Sequence, residues 1–250
     1  MDELLPSAAY FEGHFPGRPV LPGVTQLALA AQAIARRAGG GVLSAIHHVR
    51  LRKLVLPGEE LRLATRALGD GRVRFELKRG ATIVTNGDLT LSEPLSVWED
   101  SSAPYATRGS GHPPIETLLP HRSPMRFVER VFDYTDEHIV CEALIPSACP
   151  LANGNTVPAI VAIEAAAQAA AAGEALRRIG AGERTTVPSG YLVSLRDVEL
   201  AVATIPVDAP LIVVVRLHSM VLPLSTYTVE AFCQDRPVLR GSIGTFLASA

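Results

Sequence analysis

Phe11-Glu-Gly-His14-Phe-Pro-Gly-Arg-Pro-Val20-Leu-Pro-Gly23 is the stretch on which the reading of this chain turns. Gly and Pro punctuate it throughout, which marks a loop, and its last pair opens a helix. Pro is tolerated in a first helical turn, where its missing N–H costs nothing, so a helix is expected from Pro22 to Arg37. Arg36 and Arg37 stand in its last turn, favourable against the dipole, and Gly39-Gly-Gly41 ends it. Val24, Leu27, Ala28, Ala31, Ile34 and Ala35 are small and apolar on more than one face, as in a helix enclosed by other structure. Strands are expected next at Val42 to Val55, Glu60 to Leu68, Arg72 to Arg79 and Thr82 to Ser92. Pro57-Gly58 and Gly69-Asp-Gly71 separate them, and Asn86-Gly87 reads as a bulge or turn inside the last.

A similar order of elements returns further on, which suggests a degenerate repeat. Residues 96–114 are rich in Ser, Gly and Pro, show no periodic apolar face and read as a linker between residues 1–95 and 115–250. After it come a short segment, Ile115 to Leu119, and two strands, Arg126 to Tyr134 and His138 to Ile145. An Ala-rich helix is expected over Val157 to Ile179. Strands follow at Tyr191 to Ala203, Leu211 to Val221, Thr226 to Cys233 and Val238 to Leu247. Each half is therefore a central helix with meandering antiparallel strands, an α+β arrangement. The 250 residues suit two small domains as well as one large one.

Bulk properties exclude more than they assign. Twenty-three basic residues against 25 acidic ones leave a net charge of −2, without the basic excess of a nucleic-acid binder. Cys141, Cys149 and Cys233 form neither a disulfide framework nor a metal knuckle and read as free thiols, buried or semi-buried, in a reducing compartment. No basic region followed by an apolar run marks a secretory signal, and no uncharged apolar stretch reaches the ~18 residues of a membrane span. A soluble cytoplasmic protein is expected.

The opening stretch resembles the loop of hotdog-fold 3-hydroxyacyl-acyl carrier protein dehydratases, Gly-His-Phe-Pro-Gly-x-Pro-x-x-Pro-Gly, at every fixed position. Leu51-Arg-Lys-Leu-Val-Leu-Pro-Gly-Glu59 is similar to the family's next strand and turn. In the second half, Leu118-Leu-Pro-His121-Arg-Ser-Pro-Met125 resembles the family's N-terminal Leu-Pro-His-Arg-x-Pro motif. Val157-Pro-Ala-Ile-Val-Ala-Ile-Glu164-Ala-Ala-Ala-Gln168 resembles the start of its central helix. The pattern is similar to the paired hotdog proteins of aryl polyene and related polyketide-type pathways, here on one polypeptide. The resemblance implies a tandem double hotdog, each half a curved antiparallel sheet wrapped around a helix, forming an intramolecular pseudo-dimer.

In that family a loop His of one subunit faces an acid from the central helix of the other, five residues after the loop's final Gly. Five residues after Gly23 stands Ala28, so the first half has His14 and no acid. Five residues after Ala159 stands Glu164, while Cys149 to Val157 contain no His, so the second half has the acid and no base. The losses are complementary: His14 and Glu164 would share one site, and the site at Ala28 would be inert.

The resemblance then implies dehydration of carrier-bound 3-hydroxyacyl thioesters, a hydro-lyase reaction needing no metal or organic cofactor, with the substrate on a phosphopantetheine arm. His14 would take the α-proton, because a neutral imidazole is populated near its ordinary pKa of ~6.5. Glu164 would be protonated, its pKa raised by burial beside Ile160, Ile163 and Ala167, and would give a proton to the departing hydroxyl. By comparison with the family, the Val20 carbonyl would hold the His14 ring. The Gly23 N–H, at the helix N-terminus, would donate to the thioester oxygen. Gln168, one turn from Glu164, would orient it.

Other residues read more plainly. His121 is taken as structural. His47 and His48 point to opposite faces of a strand, which argues against a shared metal. Arg50, Arg52 and Lys53 suit either an acidic carrier protein or a solvated face. Ala165 to Ala172 suit close helix packing and leave room for an acyl chain. A hotdog thioesterase and a non-catalytic acyl-binding scaffold are the competing functions. Free antiparallel edges leave further homo-oligomerisation open.

Overall fold

The computed structural model describes residues 2–92, 111–183 and 190–248. Strand β1 (Asp2–Leu4) and a 3-10 turn at Ala8–Phe11 lead into the His14 loop and helix α1 (Gly23–Ala38). Strands β2 (Val42–Leu51), β3 (Leu61–Gly69), β4 (Arg72–Arg79) and β5 (Thr82–Ser92) complete the first half. The expected linker lies outside the described residues up to position 110. The second half opens with a single turn, α2 (Ile115–Leu118), then β6 (Val128–Tyr134), β7 (His138–Leu144) and β8 (Thr156–Pro158). Helix α3 (Ala162–Gly180) follows a 3-10 turn at Ala159–Val161. Strands β9 (Gly190–Leu200), β10 (Thr204–Pro206), β11 (Pro210–Val221), β12 (Leu224–Cys233) and β13 (Arg236–Leu247) end the chain.

Eleven of these strands form one antiparallel sheet in the order β1-β3-β4-β5-β2-β9-β13-β12-β11-β7-β6. The halves join where β2 pairs with β9, Ile46 opposite Val198 and Val49 opposite Leu195. Helix α1 packs on β2 and β5, α3 packs on β7, β11, β12 and β13, and the two helices touch. Small side chains permit this. Ala28, Ala30, Ala31 and Ala33 of α1 and Ala162, Ala165, Ala166 and Ala169 of α3 are all buried. One apolar core runs through both halves. The α+β pseudo-dimer implied by the resemblance is thus the observed architecture.

Local departures from the expected boundaries have visible causes. Strand β2 stops at Leu51 because the N–H groups of Arg52 and Lys53 turn to the Val84 carbonyl. The Val55 carbonyl beyond them accepts the Leu21 N–H at 2.9 Å, so this segment braces the His14 loop. The bulge expected at Asn86-Gly87 falls in the facing strand, between Ile46 and Arg50. A Cβ at Gly87 would collide with the His48 carbonyl there, which explains the glycine. Helix α3 starts later than expected because Thr156–Pro158 pair with β10 instead. By length and composition alone, Ala159–Gly180 is apolar enough to cross a membrane, which the sequence reading did not anticipate. Its most apolar window is 78% buried inside the fold, where α3 is the core helix. Cys141, Cys149 and Cys233 are free and buried.

Candidate active site

His14 is held by its own loop. Its Nδ1 lies 2.8 Å from the Val20 carbonyl. A carbonyl only accepts, so Nδ1 carries the proton and Nε2 keeps its lone pair. The Val20 N–H returns a bond to the His14 carbonyl at 2.8 Å, and Phe15 stacks on the imidazole with centroids 4.1 Å apart. Gly13, at φ +76°, lets this loop dock on the other half. The Gly13 carbonyl accepts the Arg122 N–H at 3.0 Å, and a Cβ there would strike the Arg122 carbonyl.

Glu164 projects from the first turn of α3 and is 3% exposed. Its Oε1 accepts from Gln168 Nε2 at 3.1 Å and lies 3.4 Å from His121 Nε2. Gln168 also donates to the Met125 carbonyl and accepts the Phe127 N–H, both at 2.8 Å. It therefore fastens the segment bearing His121 to α3 while orienting Glu164. The ligating atoms of His14, His121 and Glu164 all lie within 4.8 Å of one another. By donor type these three, among the described residues, could also hold a divalent ion.

His121 is where the sequence reading falls short: it is buried in the site. Its ring centroid is 5.2 Å from that of His14 and 4.7 Å from that of Phe15. The signal was present, since Leu-Pro-His-Arg occurs in the half that supplies the acid. His47 lies elsewhere, bonded to Thr90 Oγ1 at 2.8 Å, and its neighbour His48 is exposed.

The electrostatics correct one expectation. Burial does drive the Glu164 carboxyl upward. The bond from His121, the charges of His14 and His121 and the bond from Gln168 together outweigh it and hold the group at about 2. The resting carboxyl is therefore ionised, not protonated. Burial pushes His14 below its ordinary 6.5, against the opposing pull of Glu164. Ionised Glu164 beside neutral His14 satisfies both directions; neutral His14 then exerts no charge on Glu164, and the bonds from His121 and Gln168 are what lower the carboxyl.

These groups line a cavity of about 470 Å³ together with Val20 and Gly23. Gly23 is the first residue of α1, where main-chain N–H groups lack helical partners. Ala167, Ala170, Ala171 and Ala175 of α3 form one wall, and exposed Arg18, Arg52 and Lys53 also border the space. The Ala-rich run therefore both packs and leaves room. The pseudo-equivalent position differs at each point. Ala28 has no ionisable group, Gln32 is exposed where Gln168 is buried, and the Ala159 N–H is taken by the Ala203 carbonyl at 3.0 Å.

The chain is similar to known proteins over both halves. Residues 113–249 match the family model of the ApeP-like dehydratases, and residues 3–88 match that of the ApeI-like dehydratases. The 3-hydroxyacyl-[acyl-carrier-protein] dehydratase FabZ of Legionella pneumophila (strain Lens) is 36% identical over 74 residues, 25% of this chain and 49% of the relative. FabZ of Chloroflexus aggregans is 40% identical over 79 residues, 26% of this chain and 55% of the relative. The chain thus spans about half the length of these curated relatives. Among solved structures, the dehydratase heterocomplex ApeI:P from Xenorhabdus doucetiae aligns with a TM-score of 0.51 at 23% identity, over 56% of this chain and 93% of that one. A trans-AT polyketide synthase dehydratase domain from Brevibacillus brevis aligns with a TM-score of 0.69 at 14% identity, over 99% and 93%. These likenesses show a double hotdog fold along the whole chain. With more than half its length matched by that model, the chain belongs to the ApeP-like dehydratase family, and it carries an ApeI-like region on the same polypeptide.

Proposed function

We infer that this protein removes water from 3-hydroxyacyl thioesters to give trans-2-enoyl thioesters, at one site shared by two hotdog domains, residues 1–95 and 115–250. The observation that carries this reading is that His14 of the first half and Glu164 of the second are both buried and line one cavity. In this reading Nε2 of His14 takes the α-proton, because Val20 occupies the other ring nitrogen. The Gly23 N–H donates to the thioester oxygen as enolate charge develops, where the helix N-terminus is electropositive. The hydroxyl leaves on the Glu164 side, with Gln168 fixing the carboxyl. Proton transfers of this kind contribute about 10²–10⁴-fold each.

Acyl carrier protein is the proposed donor, in fatty acid, polyketide or aryl polyene type biosynthesis in the cytoplasm. Exposed Arg18, Arg52 and Lys53 at the cavity would meet an acidic carrier or the phosphate of its pantetheine arm. The chemistry needs proton transfer alone and no cofactor.

Mass spectrometry of a carrier-bound 3-hydroxyacyl substrate tests this against a thioesterase and a binding scaffold. Loss of water by wild type, abolished in His14→Ala with acyl binding retained, is the expected result. Release of free acid, or binding without any turnover by wild type, would overturn it.

A further inference from the structure

The cavity at His14 and Glu164 has a direction. Glu164, Ala167, Ala171 and Ala175 line it and recur three to four residues apart, so they lie on one face of α3. The carboxyl stands at the start of that face, and methyl groups continue it. The basic rim belongs to the other side. Arg18 is on the His14 loop, and Arg52 and Lys53 follow Leu51, whose side chain packs on Gly23. A thioester with its reacting carbons at His14 and Glu164 and its carrier arm at those cations has the face toward Ala175 left for its acyl chain.

Tyr227 stands at the far end of that face. It is buried on β12, between Ser225 and Val229 on the inward side of the strand. Its phenol interacts with the side chains of Ser225 and Thr245 and with the charge of Glu174. Behind it lies a second, smaller hollow beside α3, β7 and β11, bordered by Thr135, His138, Gly173 and Leu217. Among the described residues the two hollows share Ala170, Glu174 and Tyr227. Ala170 offers one methyl group. Glu174 is tied to Arg177 at 2.6 Å, and Arg177 in turn donates to the Asp136 carbonyl at 3.0 Å. The ring of Tyr227 is therefore the partition. A methyl terminus pressed against its phenol and the Glu174 carboxylate would bury polar groups without giving them a partner.

Building on the dehydratase reading, we propose that Tyr227 is the chain-length stop of this site, the residue that sets how long a 3-hydroxyacyl group it accepts. Glu164 and Glu174 are ten residues apart on α3, about 15 Å at a rise of about 1.5 Å per residue. A contact distance of about 3.5–4 Å at the wall leaves about 11 Å for the chain. Carbon–carbon bonds of about 1.5 Å set at the tetrahedral angle advance roughly 1.3 Å per carbon, which gives roughly eight or nine carbons beyond C3. The limit is then roughly a dozen carbons in all. Removing the ring joins the two hollows and lengthens the path past Gly173. Tyr227 meets only the end of the acyl chain, so it determines specificity and takes no part in the proton transfers.

The probes are 3-hydroxyacyl-coenzyme A thioesters of 8, 12 and 16 carbons, given to the full chain. The readout is the ratio of kcat/KM between lengths within each variant, which a change in the amount of folded protein does not move. Wild type is expected to lose at least about 10-fold between 12 and 16 carbons. Tyr227→Ala should bring the 16-carbon substrate to within about 3-fold of the 12-carbon one, whereas Tyr227→Phe keeps the ring and so keeps the limit. Wild type that accepts 16 carbons as readily as 12, or Tyr227→Ala with the wild-type ratio, would overturn the proposal. If Tyr227→Ala does not fold, Ala171→Leu narrows the same face short of the stop. It should cost the 12-carbon substrate at least about 10-fold against the 8-carbon one, and an unchanged ratio overturns the proposal. Calorimetry with dodecanoyl- and hexadecanoyl-coenzyme A reads the same limit without turnover, and equal affinities for wild type would also overturn it. Wild type that binds the shorter of these more tightly yet dehydrates none of the 3-hydroxyacyl probes would instead overturn the dehydratase reading and leave the stop in place.

Discussion

Replacing Gln168 by Leu preserves side-chain volume and deletes the polar clamp at the centre of the site. Four partners lose their bond: the Phe127 N–H and the Met125 carbonyl, each at 2.8 Å, Glu164 Oε1 at 3.1 Å and the Val128 N–H at 3.3 Å. All lie in the buried interior, and each unsatisfied group costs about 1–3 kcal/mol. Partial relaxation of the segment around Met125 lowers the sum, so the expected loss is on the order of 3–5 kcal/mol. Gln32 occupies the corresponding place in α1 and is exposed, which makes Gln32→Leu an internal control with a change within about 0.5 kcal/mol. Equilibrium urea unfolding of the two variants and wild type measures both. A loss below about 1 kcal/mol for Gln168→Leu, or equal losses for both, would refute the role of Gln168 as the fastener between α3 and the His121 segment.

Three further outcomes follow from particular contacts. Gly13→Ala should destabilise by at least about 1–3 kcal/mol and lower turnover, since the new methyl needs a left-handed backbone and strikes the Arg122 carbonyl; thermal unfolding and rate report the two effects. The Glu164 carboxyl lies below its ordinary 4.5 in the folded chain, so the stability it contributes is complete above pH 4.5 and is lost as pH falls toward about 2; Glu164→Gln should flatten that part of the acid unfolding curve. Charge reversal at Arg18 and Lys53 should weaken turnover of a carrier-bound substrate and its salt dependence while sparing a small thioester, as steady-state kinetics would show.

Much of the architecture was legible because the opening loop is dense in residues with fixed backbone demands. Pro22 and Gly23 start α1 where expected, and the left-handed Gly39 ends it. Alternation and turn chemistry located the long strands. Counted against the family's spacing, the missing acid at Ala28 and the missing base before Val157 suggested complementary halves, and the fold brings His14 and Glu164 to one cavity. Short strands were not legible: β1, β8 and β10 are too brief for any periodicity, and β8 delayed the start of α3. The state of Glu164 was misjudged for a related reason. Its neighbours in sequence are apolar, but His121, 43 positions earlier, is brought against it by the Gln168 clamp. Local sequence reports burial; it does not report which charge arrives from elsewhere in the fold.

The central claim is that one chain builds one working site from a base in its first half and an acid in its second. The most direct measurement is the rate of water loss by Glu164→Gln, followed by mass spectrometry beside wild type on the same carrier-bound 3-hydroxyacyl thioester. The account predicts a fall of about 10²–10⁴-fold with the fold intact. Turnover within a few-fold of wild type would contradict it and remove α3 from the chemistry.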